Sequence, residues 1–142
     1  MKKILPLFLL IGLVLGTACS DSGPVATAAD IDVPALLEEL KSSDPSVRLQ
    51  ACVSLSEGLH TAAPALDSLI EVVKTDKDAK VREMAAYAIY QMGEEAAMPA
   101  LPMVKERYQK ERAAGVRSVL YNLWGLLEFE TRPGGAATRT QP

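Results

Sequence analysis

The dipeptide Val-Arg stands at Val47-Arg48, again at Val81-Arg82 and again at Val116-Arg117, at spacings of 34 and 35 residues. Other positions keep step with it: Ala51, Ala85 and Leu120 align, as do Leu55, Ile89 and Trp124. A second phrase, Pro-Ala-Leu, occurs at residues 34–36, 64–66 and 99–101. A period of this size with two helical segments per unit specifies a stack of helical hairpins. One hairpin cannot cover its own apolar side, so it must lie against the next.

Each Val-Arg opens a helix with apolar residues at offsets 0, 4, 7 or 8, and 11, the spacing that lines up one face of a 3.6-residue turn. In the second unit that face is Val81, Ala85, Ala88, Ile89 and Met92. Asp44-Pro45 marks one helix start, with Asp as cap and Pro in the first turn, and Asp78 stands in the equivalent place. Gly58 and Gly93 are expected to stop these helices in a left-handed conformation. The partner helices are expected over Pro34 to Lys41, about Ala62 to Lys74 and about Ala96 to Lys110. Pro64, Pro99 and Pro102 are tolerable there near a helix start, and Pro102 is the one expected to delay or bend it. With apolar residues at 49% of the chain and aromatics at 5%, the core is expected to be Leu, Val, Ile and Ala.

The phrase VREMAAYAIYQMGEEAAMPAL, residues 81–101, resembles a HEAT repeat of the short bacterial kind. The first unit, DPSVRLQACVSLSEGLHTAAPAL, matches well, and the third, AAGVRSVLYNLWGLLEF, more weakly. The resemblance implies an all-α fold, a right-handed αα superhelix of about three helix pairs over residues 31–130. Such repeats occur in chromophore lyase relatives and in many binding scaffolds, so the pattern specifies fold far more sharply than function.

Outside the repeats, Lys2 and Lys3 precede an apolar run from Ile4 to Leu15 that is short for a membrane span. Gly16-Thr17-Ala18-Cys19 follows, similar to a bacterial lipoprotein signal except that Gly16 stands where a large aliphatic residue is preferred. Residues 1–18 are therefore expected to be a signal peptide. One outcome is a lipidated Cys19, and Ser20 after it is what the resemblance associates with the outer membrane, periplasmic side. The alternative is release of a soluble protein by an ordinary secretory peptidase. Residues 19–30 are expected to be the lipidated Cys and a flexible tether, and residues 131–142 a disordered tail. Cys52, the other cysteine, is expected to be a small apolar side chain on a helix.

Without Lys2 and Lys3, 18 acidic residues outweigh the rest of the 15 basic ones and the net charge is −5, which argues against a nucleic-acid partner. Catalytic signatures are missing from the sequence. His60 is its single histidine, Glu38-Glu39 and Glu94-Glu95 point about 100° apart on a helix, and there is no glycine-rich phosphate loop or paired CxxC. The chain is thus expected to be no enzyme, with no metal and no cofactor.

Arg48, Arg82 and Arg117 read either as a ladder gripping an acidic partner or, preferably, as a turn network in which each Arg ties down the turn before its helix. Asp44 and Asp78 are the expected acceptors; the third unit has Ala113 there, which leaves Arg117 to find another. Opposite the apolar stripe, offsets 2, 5, 6 and 9 give Leu49, Cys52, Val53 and Ser56, then Glu83, Ala86, Tyr87 and Tyr90, then Ser118, Tyr121, Asn122 and Gly125. Of these Leu49, Val53, Glu83, Tyr87, Tyr90, Tyr121 and Asn122 are the candidate partner-binding residues, because aromatic rings with polar tips suit protein or peptide recognition. Packing between neighbouring helices is the alternative role for Tyr87 and Tyr121. In the last helix Leu126 and Phe129 fall outside the core arc, which points either to a homodimer contact or to coverage by the tail. Three functions follow: an envelope adaptor for an unidentified protein or peptide, a chromophore-lyase-like enzyme or small-ligand carrier, and a self-associating structural component.

Overall fold

A computed structural model describes residues 29–128 and residue 133. Cys19, Phe129 and nearly all of the expected tail lie outside the described residues. Helix α1 spans Val33–Glu39, α2 Pro45–Glu57, α3 Leu66–Thr75, α4 Ala79–Gln91, the single turn α5 Glu94–Ala97, α6 Leu101–Lys110 and α7 Ala114–Leu127. Among the described residues there is no strand, and no helix is long and apolar enough to cross a membrane.

Local chemistry sets the helix starts. Asp32 Oδ1 accepts from the Ala35 amide and Asp44 Oδ1 from the Ser46 amide, each with a proline in the first turn. Asp78 Oδ1 accepts from the amides of Lys80 and Val81. These side chains satisfy amides that have no carbonyl one turn below them. At Ala113, where the repeat has lost its aspartate, α7 starts without a side-chain cap.

The partner helices are shorter than the periodicity implies. A 3-10 segment, Leu59–Ala65, precedes α3, and another, Met98–Ala100, precedes α6. Both α-helices therefore begin at the leucine of a Pro-Ala-Leu phrase, Leu66 and Leu101. Proline donates no hydrogen bond and crowds the preceding turn, so the regular ladder starts after it. Pro102 sits within the first turn of α6 without delaying it.

Gly58 does not supply the expected left-handed turn: its φ is −69°, and Leu59 carries the positive φ of 50° instead. A side chain at Gly58 would come within 2.2 Å of Ile31 Cδ1, so close approach is the reason for glycine here. Gly93, at φ 84°, does turn the chain as expected. The repeat body reaches back into the expected tether, because the Ala29 amide donates to the Glu57 carbonyl at 3.0 Å.

Helices α2, α4 and α7 lie side by side with α4 in the middle, while α1, α3 and α6 each pack on the helix that follows them in their own hairpin. The core runs through this stack, with Leu55, Leu69, Val73, Val81, Ile89, Val104, Val116, Leu120 and Leu123 fully buried. Burying each such side chain contributes roughly 1.5–3 kcal/mol. Ala62, Ala65, Ala85, Ala86, Ala88, Ala97 and Ala100 are also fully buried, and their small size lets neighbouring helices approach closely.

Position in the stack decides burial. Val81 and Val116 are core, but Val47, expected to match them, is 36% exposed. Val47 lies on α2, which has no neighbouring Val-Arg helix before it, whereas Val81 and Val116 meet such a helix. Conversely, Cys52, Ser56 and Ala86, placed on the outward arc by sequence, are buried. A helix in a row touches its hairpin partner and its neighbours, so its apolar arc is wider than one stripe. The Cys52 thiol is pushed up to about 12, chiefly by burial and secondarily by the charge of Asp76, with Arg48 opposing. Cys52 is thus a packing residue.

Candidate inter-unit ladder and recognition face

The arginines of the repeat form a ladder, but with other acceptors than the expected ones. Arg48 donates from Nε to Asp76 Oδ2 at 2.7 Å and from Nη2 to Asp76 Oδ1 at 2.9 Å. Its Nη1 donates to the carbonyls of Ser42 and Ser43, at 2.9 and 3.2 Å. One unit later Arg82 repeats the arrangement, with Nε and Nη2 each 3.0 Å from a carboxylate oxygen of Glu111. Its Nη1 reaches the carbonyls of Asp76 and Lys77. Arg48 and Arg82 therefore each tie down the turn before their own helix. The carboxylate partner of each belongs to the following unit, while Asp44 and Asp78 are committed to their helix caps.

The acceptors share a register of their own. Ser42, Asp76 and Glu111 each stand six residues before an arginine of the ladder. Each also receives a nearby amide: Asp44 N donates to Ser42 Oγ, Asp78 N to Asp76 Oδ1, and Ala113 N to Glu111 Oε1. The spacing of 34 and 35 was available in the sequence, but a Ser-Asp-Glu series carries no shared residue type to draw attention to it.

Glu111 is the most constrained charge among these groups, its side chain 2% exposed. Burial raises its carboxyl pKa, yet the Arg82 hydrogen bond, the Ala113 amide and the charges of Arg82 and Arg107 outweigh this and lower it to about 2. Arg107 Nη2 contributes a hydrogen bond of 2.8 Å. Asp76 behaves alike: burial opposes ionisation, but the hydrogen bond from Arg48, the Asp78 amide and the charges of Arg48 and Arg82 hold it below the usual carboxylate range.

The third arginine is different. Arg117 is exposed, and its guanidinium lies 5.3 Å from the centre of the Tyr108 ring. Among the described residues no carboxylate stands within ion-pair distance of it. Tyr108 is itself in an aromatic group with Tyr121 at 6.3 Å and with Trp124 edge-on at 5.8 Å. A hollow beside them is lined by Tyr108, Ala114, Arg117, Ser118 and Tyr121. Tyr108 lies on the partner helix α6, outside the helical arc that the Val-Arg spacing defines.

The candidate recognition residues divide by surroundings. Tyr87 is 40% exposed and stacks on Tyr90 at 6.4 Å between ring centres. Asn122 is exposed, and Val53, Tyr90 and Tyr121 are half-buried. Leu49 and Tyr90 rest against the core, as does Leu126 of the last helix. Glu83 faces α7: a side chain at Gly115 would lie 2.5 Å from its Oε2, and Lys80 Nζ is 3.1 Å from the same oxygen. Of the helices bearing this face, α4 presents the most accessible aromatic ring. His60 is exposed in the 3-10 segment before α3. Among the described residues no three His, Cys, Asp or Glu side chains are grouped to hold a metal ion.

Stacked hairpins of one repeating length, with a half-buried arginine clasping the next unit's turn, define a short α-solenoid. The family model for HEAT repeats matches residues 33–124, and the chain belongs to that family. No protein of curated function and no solved structure matches it.

Proposed function

We propose that this protein is a protein-binding HEAT-repeat scaffold of the cell envelope, exported by residues 1–18 and held at the membrane by a lipid on Cys19. In this reading it lies on the periplasmic side of the outer membrane and performs no catalysis. HEAT repeats suggest a protein-interaction scaffold as the kind of role, and the single observation that carries the reading is Tyr87. The residue is 40% exposed although its neighbours Ala86 and Ala88 are fully buried. A fixed, accessible aromatic ring with a polar tip buries much area on contact at little cost in side-chain entropy. The contact surface is built around Tyr87 and Tyr90, with Val53, Tyr121 and Asn122 on flanking helices.

A photoreactive residue at position 87 in the intact envelope tests the surface. The expected result is one dominant crosslinked protein, lost when Tyr90 is replaced by Ala while the melting temperature holds. Diffuse labelling unaffected by that replacement would refute the surface. Mass spectrometry of the mature N-terminus tests the anchor separately, and an unmodified Cys19 removes it.

A further inference from the structure

From the unanswered third rung of the ladder, and resting on the protein-binding reading above, we infer that Arg117 and its hollow receive one carboxylate of a partner protein, presented as an Asp or Glu side chain on a turn.

Two internal precedents define the chemistry. Arg48 meets Asp76, and Arg82 meets Glu111, each through two parallel hydrogen bonds to a carboxylate at the turn of the next unit. Such paired donation is specific for a planar anion and stronger than a bond between neutral groups. Arg117 occupies the same repeat position as the two donors, 35 residues after Arg82. Its guanidinium lies over Tyr108, the residue is exposed, and among the described residues no carboxylate is paired with it. Among the described residues that line the hollow none is acidic: Ser118 adds a hydroxyl, and Tyr108 and Tyr121 form aromatic walls. A guanidinium over a tyrosine ring can still donate in its own plane to a carboxylate, and the two inner rungs show the kind of partner that takes this position.

The other end of the ladder argues against a second copy as the occupant. The first acceptor position holds Ser42, which has no carboxylate to offer. Copies stacked head to tail in ladder register would place that serine opposite Arg117. The ladder begins with a neutral group and ends with a cation, so an acidic turn from another protein matches the open end.

The test uses the full chain, labelled for observation of arginine Nε–Hε resonances. The probe is a capped peptide copying residues 74–79 with Asp78→Ser, which keeps one carboxylate, at the position of Asp76. Titration is expected to shift the Arg117 resonance in a saturable way. The same peptide with Asp76→Asn should bind at least about fivefold more weakly. Arg117→Ala should abolish binding, Arg117→Lys should weaken it, and Arg112→Ala, at a neighbouring exposed arginine, should leave it unchanged. Equal binding of the amide peptide, equal loss with Arg112→Ala, or an unmoved Arg117 resonance each overturns the inference. Concentration-dependent shifts without peptide that vanish in Arg117→Ala would assign the hollow to a second copy and overturn it as well. Crosslinking at Tyr87 that persists in Arg117→Ala, with no carboxylate effect, leaves the scaffold reading standing while this inference falls.

Discussion

Arg48 and Asp76, 28 residues apart in sequence, meet through two nearly equal hydrogen bonds of 2.7 and 2.9 Å with side chains 15% and 6% exposed. The pair joins the first unit to the turn between α3 and α4 within the second. Arg82 and Glu111 join the second to the third in the same manner. The solenoid is thus fastened at each junction by an apolar contact and one largely buried, two-pronged ion pair.

Removing one member of a buried pair strands the other, which costs about 3 kcal/mol or more. Glu111→Ala and Arg82→Ala should each lower the unfolding free energy by an amount of that order, seen as a lower urea midpoint. The double replacement Arg82→Met with Glu111→Leu should recover only part of the loss, since the Arg82 charge is gone while Arg107 and the Ala113 amide still lose their acceptor. Equilibrium unfolding of the three variants checks this.

Acid should open the junctions. Glu111 falls from an ordinary 4.5 to about 2 in the folded chain, and Asp76 is also depressed. A depressed carboxyl stabilises the fold fully above its unfolded pKa, and that stabilisation fades as pH falls toward the folded value. Stability is therefore expected to hold above about pH 4.5 and to drop between there and about pH 2. Glu111→Gln should be less stable at pH 7 but show a shallower decline in that window, measured by thermal melts at stepped pH.

The three repeat valines should respond unequally. Val81→Ala and Val116→Ala remove two buried methyl groups each and should cost about 2 kcal/mol. Val47→Ala, at a position 36% exposed, should stay within about 0.5 kcal/mol of the parent. Chemical denaturation of the set distinguishes a stack with a distinct end from three equivalent units.

Restoring the lost cap should stabilise α7. Ala113 has the extended backbone of a cap residue, φ −71° and ψ 121°, but no side-chain acceptor. Ala113→Ser should raise stability by about 1 kcal/mol, and Asp78→Ala should lower it by a similar amount. Serine is preferable to aspartate there because Glu83 already lies close to Gly115 in the first turn. Melting temperatures report both.

Much of the architecture could be read from the residues alone. Asp44-Pro45 and Asp78 located two helix starts, and the Val81, Ala85, Ala88, Ile89 and Met92 stripe of α4 is buried throughout. Local signals of this kind act through the backbone of a few neighbouring residues, so they survive without knowledge of the rest. The candidate face was legible less completely. Tyr87 is exposed as the helical period requires, whereas Cys52, Ser56 and Ala86 on the same arc are buried.

The sequence by itself determined the repeat length, the number of hairpins and which side of each central helix is apolar, because helical geometry converts spacing directly into a face. Only the tertiary structure decided how much of each helix is covered and which acid answers which arginine. Those depend on how many neighbours a helix has and on contacts made 28 or 29 residues away. The same Val-Arg phrase is consequently core-bound and ion-paired in the middle of the stack, solvent-facing at Val47, and open at Arg117.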